Sequence, residues 1–218
     1  MLKYIFKRIL LFIPTLFIIS LLTFFLSTHV PGDPVEQMLN SNSETGSSAK
    51  AMAAEKAYIA KRTQLGLDLP TFYFNISNQA TPKDLYAIPK KFHRENLTKL
   101  IDKYGNWNEI NAYYNSLKDL DVAIGNVESD SINADAIIAI KADIQQLFEE
   151  SDDNAIKVAL NDMQSQIKVA SNLNVLSAGI TKTDNLYTDV FTKPTTSKKF
   201  IPAIHWYGFK NQYHQWIT

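Results

Sequence analysis

Cysteine is absent from the 218-residue chain, which removes disulfides, thiol nucleophiles and thiolate metal ligands from consideration. Glycine is scarce, at seven residues, so neither a phosphate loop nor a dinucleotide fingerprint can be assembled. Neither sign of charge is in excess, 22 Lys+Arg standing against 22 Asp+Glu. A nucleic-acid binder would show a basic surplus, so no nucleic-acid partner is expected. His29, His93, His205 and His214 are too dispersed for a local zinc motif, and no Gly-x-Ser-x-Gly nucleophile elbow occurs. Glu149-Glu150 and Asp152-Asp153 fit a helix N-terminus, where the macrodipole favours negative charge, and are read as solvated caps rather than a calcium site. These absences leave no catalytic residue, cofactor-binding residue or metal ligand to nominate. The chain is read as a non-enzyme with no cofactor.

What is present is unevenly laid out. Residues 1–8 hold Lys3, Lys7 and Arg8 and no acid, and no charge then appears from Ile9 through Gly32. Ile9 to Thr28 is twenty residues, fourteen of them large and apolar, the rest being Pro14, Thr15, Ser20, Thr23, Ser27 and Thr28. At about 1.5 Å per residue such a helix is roughly 30 Å long, the thickness of a bilayer core. A secretory leader would have a shorter apolar run and a small-residue cleavage site. This run is longer and exits through His29-Val30-Pro31-Gly32-Asp33-Pro34, so an uncleaved anchor is expected. Lys3, Lys7 and Arg8 crowd one flank, while the other begins with Asp33 and Glu36 and reaches its first cation at Lys50. The positive-inside rule then puts the N-terminus in the cytoplasm and the body outside. Thr15, Ser20 and Thr23 are expected either to face a neighbouring element or to bond back to their own helix.

Beyond the span, the prolines and Gly32 end the helix. Val35 to Leu39 predicts a short helical turn, Asn40 to Ser48 a mobile polar link, and Ala49 to Gln64 a helix capped near Gly66. Phe72, Tyr73 and Phe74 follow the break at Pro70. Thr71 to Pro89 has little expected regular structure. Four stripes at helical spacing come next: Leu97, Leu100, Ile101 and Tyr104; Trp107, Ile110, Tyr113, Tyr114, Leu117 and Ile124; Ile137, Ile140, Ile144, Leu147 and Phe148; and Ile156, Ala159, Leu160, Met163, Ile167 and Ala170. Asn106 with Glu109 suggests a capping box, Asn133 precedes the third stripe, and Asp152 or Asp153 starts the fourth. Four amphipathic helices with short connections predict a small antiparallel bundle, and residues 85–180 are expected to fold without the span. From Ser171 the helical period fades, and Leu186-Tyr187-Thr188-Asp189-Val190-Phe191 has strand-like composition. The tail holds His205, Trp206, Tyr207, Phe209, Tyr213, His214 and Trp216, an aromatic density that suits a headgroup layer or a packed cluster, beside Phe72 to Phe74 in either case. The fold class is therefore mainly α: one N-terminal transmembrane helix followed by an extracytoplasmic helical bundle with irregular flanks.

Four stretches, in order, carry a resemblance: Tyr4-Ile5-Phe6-Lys7-Arg8, Ile13-Pro14-Thr15, Pro31-Gly32-Asp33-Pro34 and Leu65-Gly66-Leu67-Asp68-Leu69-Pro70. Together they resemble the start of the inner-membrane permease subunits of peptide and nickel ABC importers. That family places a Gln-Tyr-x-x-Trp segment soon after the Leu-Gly-Leu-Asp element. Here Gln212-Tyr213-His214-Gln215-Trp216 matches it, but about 140 residues later in the chain. The resemblance implies a cytoplasmic N-terminus at 1–8, a transmembrane helix at 9–28, a permease-like external segment at 29–75, an inserted extracytoplasmic helical domain at 76–203, and an aromatic membrane-proximal segment at 204–218 leading toward a second span. It further implies an inner-membrane location and, as partners, the lipid bilayer, a second permease subunit, ABC ATPase subunits and an extracytoplasmic solute-binding protein. The family has several spans and this chain has one, so it is read as an N-terminal fragment, inactive alone. The alternative is a single-span anchored scaffold whose external bundle binds a partner.

Overall fold

The computed structural model describes residues 2–30, 32–40, 48–130, 132–168 and 171–218. Among them the chain forms nine α-helices and one two-stranded sheet, and it divides into two compact units. The first comprises residues 1–45, 55–74 and 206–218; the second comprises 46–54 and 75–205. The expected mobile link at Asn40 to Ser48 falls mostly outside the described residues, as do Pro31 and Ala170.

The first unit is built on α1 (Leu2–Thr28), a 27-residue helix with Pro14 inside it. Its segment Lys3–Thr28 is long and apolar enough to cross a membrane. Apolar side chains from Ile9 to Ile19 are exposed on every side. Among its described side chains only Ser20, Leu21 and Phe24 turn away from solvent, and these lie on one helical face. The question of the hydroxyls resolves both ways. Thr15 and Thr23 donate to the carbonyls of Leu11 and Ile19, whereas Ser20 meets the Tyr213 hydroxyl at 3.1 Å. Two helices follow, α2 (Pro34–Asn40) and α3 (Ser48–Gln64), as the sequence pattern predicts.

The second unit is a helical bundle: α4 (Lys91–Tyr104), α5 (Trp107–Gly125), α6 (Ala134–Leu147), α7 (Asp153–Gln166) and α8 (Ser177–Thr192). Apart from half-buried Trp107 and from Ala170, which lies outside the described residues, the four predicted stripes are buried along α4 to α7 and the residues that close α6 and α7. The bundle nevertheless has a fifth helix, and it is essential to the closure. Helices α5, α6, α7 and α8 pack each on the next, and α8 closes back on α5; α4 packs outside this ring against α5. Residues Leu186 to Phe191, with their strand-like composition, are the last turns of α8. Ile180, Thr183, Tyr187 and Val190 are its buried face, a helical spacing that outweighs the β propensity of Tyr, Thr and Val because it fills the remaining side of the core. Thr183, Thr188 and Thr192 satisfy their hydroxyls on the carbonyls four residues back, which makes threonine tolerable inside a helix. The contact between α8 and α5 is close: a methyl group at Gly179 would come 2.7 Å from Leu120 Cδ2. The piece expected to fold by itself therefore extends past residue 180 and comprises 75–205.

Polar side chains fasten the helix junctions. Asn106 is the residue before α5, but its side chain makes no cap. It is buried, and its Nδ2 donates to the carbonyls of Val190 and Lys193, both at 3.0 Å. The predicted capping box is thus a clamp between the α4–α5 turn and the end of α8. Asn96 does the same from α4 to the α6–α7 turn, donating to Phe148 O at 3.1 Å and Glu150 O at 2.9 Å. Asn133 accepts from Asp130 N and donates to Glu128 O, and so organises the loop ahead of α6. Asp152 is the cap of α7, accepting from Asn154 N and Ala155 N at 3.0 Å each. Asp153 is not a solvated cap: it accepts from Lys103 Nζ at 2.7 Å, from Tyr187 Oη at 2.6 Å and from the Tyr104 hydroxyl. Burial by itself would raise its carboxyl pKa, but the hydrogen bonds from Lys103, Tyr104 and Tyr187 and the Lys103 charge hold it below the ordinary carboxylate range. Gly105 ends α4 at φ +74°, and a side chain there would meet Thr195 O at 2.5 Å.

The small sheet pairs β1 (Phe74–Asn78) with β2 (Pro202–Trp206), so the expectation of little regular structure over Thr71 to Pro89 fails at its start. Gln79 N donates to Ile201 O and Tyr207 N to Tyr73 O, which sets an antiparallel register.

His93 is buried on α4, stacked on Phe148 at 4.3 Å, with Nδ1 against the Tyr114 hydroxyl at 2.9 Å. Burial, reinforced by the Lys90, Lys118 and Arg94 charges, lowers its pKa from 6.5 to about 3. The folded state therefore stays neutral where the unfolded chain binds a proton, and stability must fall as pH drops from 6.5 towards about 3. In that window the slope contributed by His93 approaches about 1.4 kcal/mol per pH unit. Denaturant melts of residues 75–205 against pH should show this slope in the wild type and lose it in His93→Gln. In the same piece, Ile140→Ala empties a site with 0% exposure and is expected to cost about 2–5 kcal/mol. Gly105→Ala is expected to cost at least about 1 kcal/mol through its positive φ and more through the Thr195 contact.

Candidate functional site

The sequence nominates no catalytic or ligating side chain, and among the described residues no group of three His, Asp or Glu side chains is placed to hold a metal ion. The structure does bring together the motif residues of the first unit, and this assembly is the candidate site.

Asp33 of Pro-Gly-Asp-Pro organises the exit from α1. Its Oδ1 accepts from Val35 N at 2.9 Å and Glu36 N at 3.4 Å, so it caps α2, with Pro34 as the first helical residue, where its missing N–H costs nothing. Its Oδ2 accepts from the Tyr58 hydroxyl at 2.5 Å, which ties α2 to α3. Tyr58 is buried and is pushed up to about 12, first by burial and then by the Asp33 carboxylate, with Arg62 opposing.

Gly66 lies at φ +67° after α3, and Leu67 N returns to Arg62 O at 3.0 Å, the closing turn that a left-handed glycine permits. The same glycine serves a second purpose. A Cβ built on it would fall 2.2 Å from Oε1 of Gln215, so the absence of a side chain admits the distant Gln-Tyr-x-x-Trp segment. That segment is α9 (Gln212–Ile217), capped by Asn211, which accepts from His214 N at 2.8 Å. It is bonded to the end of the Leu-Gly-Leu-Asp-Leu-Pro element: Gln212 N to Pro70 O at 2.9 Å, Tyr213 N to Thr71 O at 3.1 Å, and Gln212 Nε2 to Leu69 O at 2.7 Å.

Tyr213 is the centre of the assembly and is fully buried. Its ring meets Phe17 at 6.3 Å, Phe24 at 5.1 Å, Phe72 at 5.2 Å and Tyr73 at 6.0 Å, and its hydroxyl meets Ser20. Trp216 lies 5.9 Å from Phe24, and Phe74 stacks on Trp206 at 6.5 Å. His214 Nδ1 is 3.1 Å from the Tyr73 hydroxyl. The aromatic tail is therefore beside Phe72 to Phe74, as expected, and it also packs on α1, which the sequence did not indicate. The residue types that made the tail conspicuous are the ones in contact; the face of α1 that receives them, marked by Ser20 alone among apolar neighbours, was not distinguishable from its other polar interruptions.

No family model matches the chain, and no solved structure matches it. Among curated proteins it is 51% identical over 45 residues to the dipeptide transport system permease protein DppB of Haemophilus influenzae, a match covering 21% of this chain and 14% of that protein. It is 41% identical over 73 residues to the glutathione transport system permease protein GsiC of Escherichia coli strain K12 and of Shigella flexneri serotype 5b, covering 34% of this chain and 21% of each. Over that stretch the chain is permease-like. The match spans about a fifth or less of the length of these relatives.

The Tyr58–Asp33 bond yields a measurable consequence. In Asp33→Asn the Tyr58 titration should move down from about 12 part of the way to 10, leaving the shift due to burial. The tyrosine signal absent from Tyr58→Phe identifies the group in NMR spectra of the detergent-solubilised chain.

Proposed function

We propose that the chain carries the leading segment of a permease subunit of an ABC importer for peptides or related solutes, with the helical domain 76–203 inserted into the loop that follows the first span. The observation that carries this reading is the bonding of Gln212 and Tyr213 to Leu69, Pro70 and Thr71. Two motifs that adjoin in the family's sequences adjoin here in space, and residues 75–205 between them belong to the other compact unit. The matches to DppB and GsiC support it.

In this reading the N-terminus lies in the cytoplasm and the inserted domain outside, on the side opposite Lys3, Lys7 and Arg8. One helix encloses no path, so transport requires a second permease subunit and further spans, together with ABC ATPase subunits that supply the energy and an extracytoplasmic solute-binding protein that the inserted domain docks. The chain performs no catalysis of its own. The other reading, an anchored scaffold, is favoured by the presence of one helix of membrane-crossing length among the described residues.

Two experiments separate these. Protease added to intact spheroplasts should digest the inserted domain; its survival would place it inside and overturn the orientation. Crosslinking of the tagged chain in its native membrane should recover an ABC ATPase and a second permease. Recovery of the solute-binding protein alone, or of no transporter component, would favour the scaffold.

A further inference from the structure

The depth at which α9 meets α1 has a consequence for where the membrane lies. Arg8 is the last cation before the uncharged run, and Ser20 follows it by twelve residues. At about 1.5 Å per residue Ser20 stands about 18 Å along the helix from Arg8, while the hydrocarbon core is about 30 Å thick. The contact between Ser20 and the Tyr213 hydroxyl at 3.1 Å is therefore about 12 Å short of the far boundary. Phe17, deeper still, touches the same ring. An element lying on the membrane surface would meet α1 near Thr28 instead.

We propose that α9 and the Phe72–Phe74 segment re-enter the bilayer as a wedge in the far leaflet, with lipid as the occupant of their outward surface. The inference rests on α1 crossing the membrane. Three features of the first unit fit acyl chains. Trp206, Phe209, Trp216 and Ile217 point outward and are between 45% and 70% exposed, and Trp216 lies beside Phe24 of α1. The hydroxyl of the fully buried Tyr213 meets that of the half-buried Ser20. The backbone at the start of α9, which lipid would penalise if left open, is closed onto Pro70, Thr71 and the Asn211 side chain. His214 lies on the Tyr73 hydroxyl and the Gln212 amide on Leu69 O, while Lys210 and Gln215 are exposed, and Lys210, beside Phe209, has a long stem that lets its ammonium reach the headgroups.

The absence of cysteine allows a direct test in the full chain. Single-cysteine variants Phe209→Cys and Ile217→Cys, reconstituted in phosphatidylcholine–phosphatidylglycerol vesicles and spin-labelled, are compared with Ile18→Cys on the exposed surface of α1 and Val158→Cys on the exposed surface of α7. Collision rates with oxygen, which concentrates in lipid, and with a water-soluble nickel chelate are measured by electron paramagnetic resonance. The wedge predicts that the labels at 209 and 217 resemble the one at 18, with oxygen collisions several-fold above those with the chelate and the opposite ratio at 158. Chelate access at both 209 and 217 would mean a surface element and overturn the proposal. Low access to both reagents would mean a protein neighbour, such as a second copy or another span, and would overturn it equally. Chelate access at 18 would remove the span itself, so failure of the wedge and failure of the membrane-crossing reading give different patterns.

Discussion

The seat of Tyr213 is the interaction on which the first unit depends. Its ring takes contacts from α1, from the Phe72–Tyr73 segment and from its own helix, and its hydroxyl finds Ser20. A tyrosine suits this position because its large apolar ring fills the junction while its one polar atom reaches a single partner. Around it the backbone of α9 is bonded to residues 70 and 71, and Gly66 leaves the room that Gln215 occupies. Residues from three separate stretches of chain form one unit because none of them can cover its apolar side alone.

The bundle obeys a different economy. Its ring of α5 to α8 is held by apolar side chains with almost no exposure; α4 adds Leu97, Leu100 and Ile101 to the same core and is further fastened through polar atoms: Asn96, Lys103 and Tyr104 from the helix, and Asn106 just beyond it. Asp153 collects Lys103, Tyr104 and Tyr187, so one carboxylate joins α4, α7 and α8. Such groups are costly to bury singly and effective when each donor has its acceptor. Some atoms here have none: the Tyr113 hydroxyl, Asn96 Oδ1, Asn106 Oδ1 and His93 Nε2 are buried without a protein partner.

Much of this was legible in the chain. The uncharged run from Ile9, the turn after Pro34, the Ala-rich helix, the glycine at 66 and the stripes of α4 to α7 follow from periodicity and backbone preference, which are local. The failures were also local in origin. Leu186 to Phe191 offers β-favouring residues, and their helical spacing with Ile180 and Thr183 shows only when the window is extended backwards into a stretch rich in Ser, Asn and Thr. Asn106 and Glu109 match a capping box in spacing, yet Asn106 has a better use in two carbonyls 84 and 87 residues away. Asp153 beside Asp152 reads as a second cap until Tyr104 and Tyr187 are brought to it.

The sequence by itself determined the membrane-length helix, the mainly helical character and the permease-like motifs, because length, apolarity and short spacings are properties of neighbours along the chain. Only the tertiary structure decided that α8 closes the ring onto α5, that residues 212–216 return to residues 69–71, and that Ser20 rather than Thr15 or Thr23 receives a partner. Those outcomes depend on which surfaces meet after long stretches of chain have been ordered, and burial against a particular neighbour outweighs the preferences a residue shows among its own few neighbours.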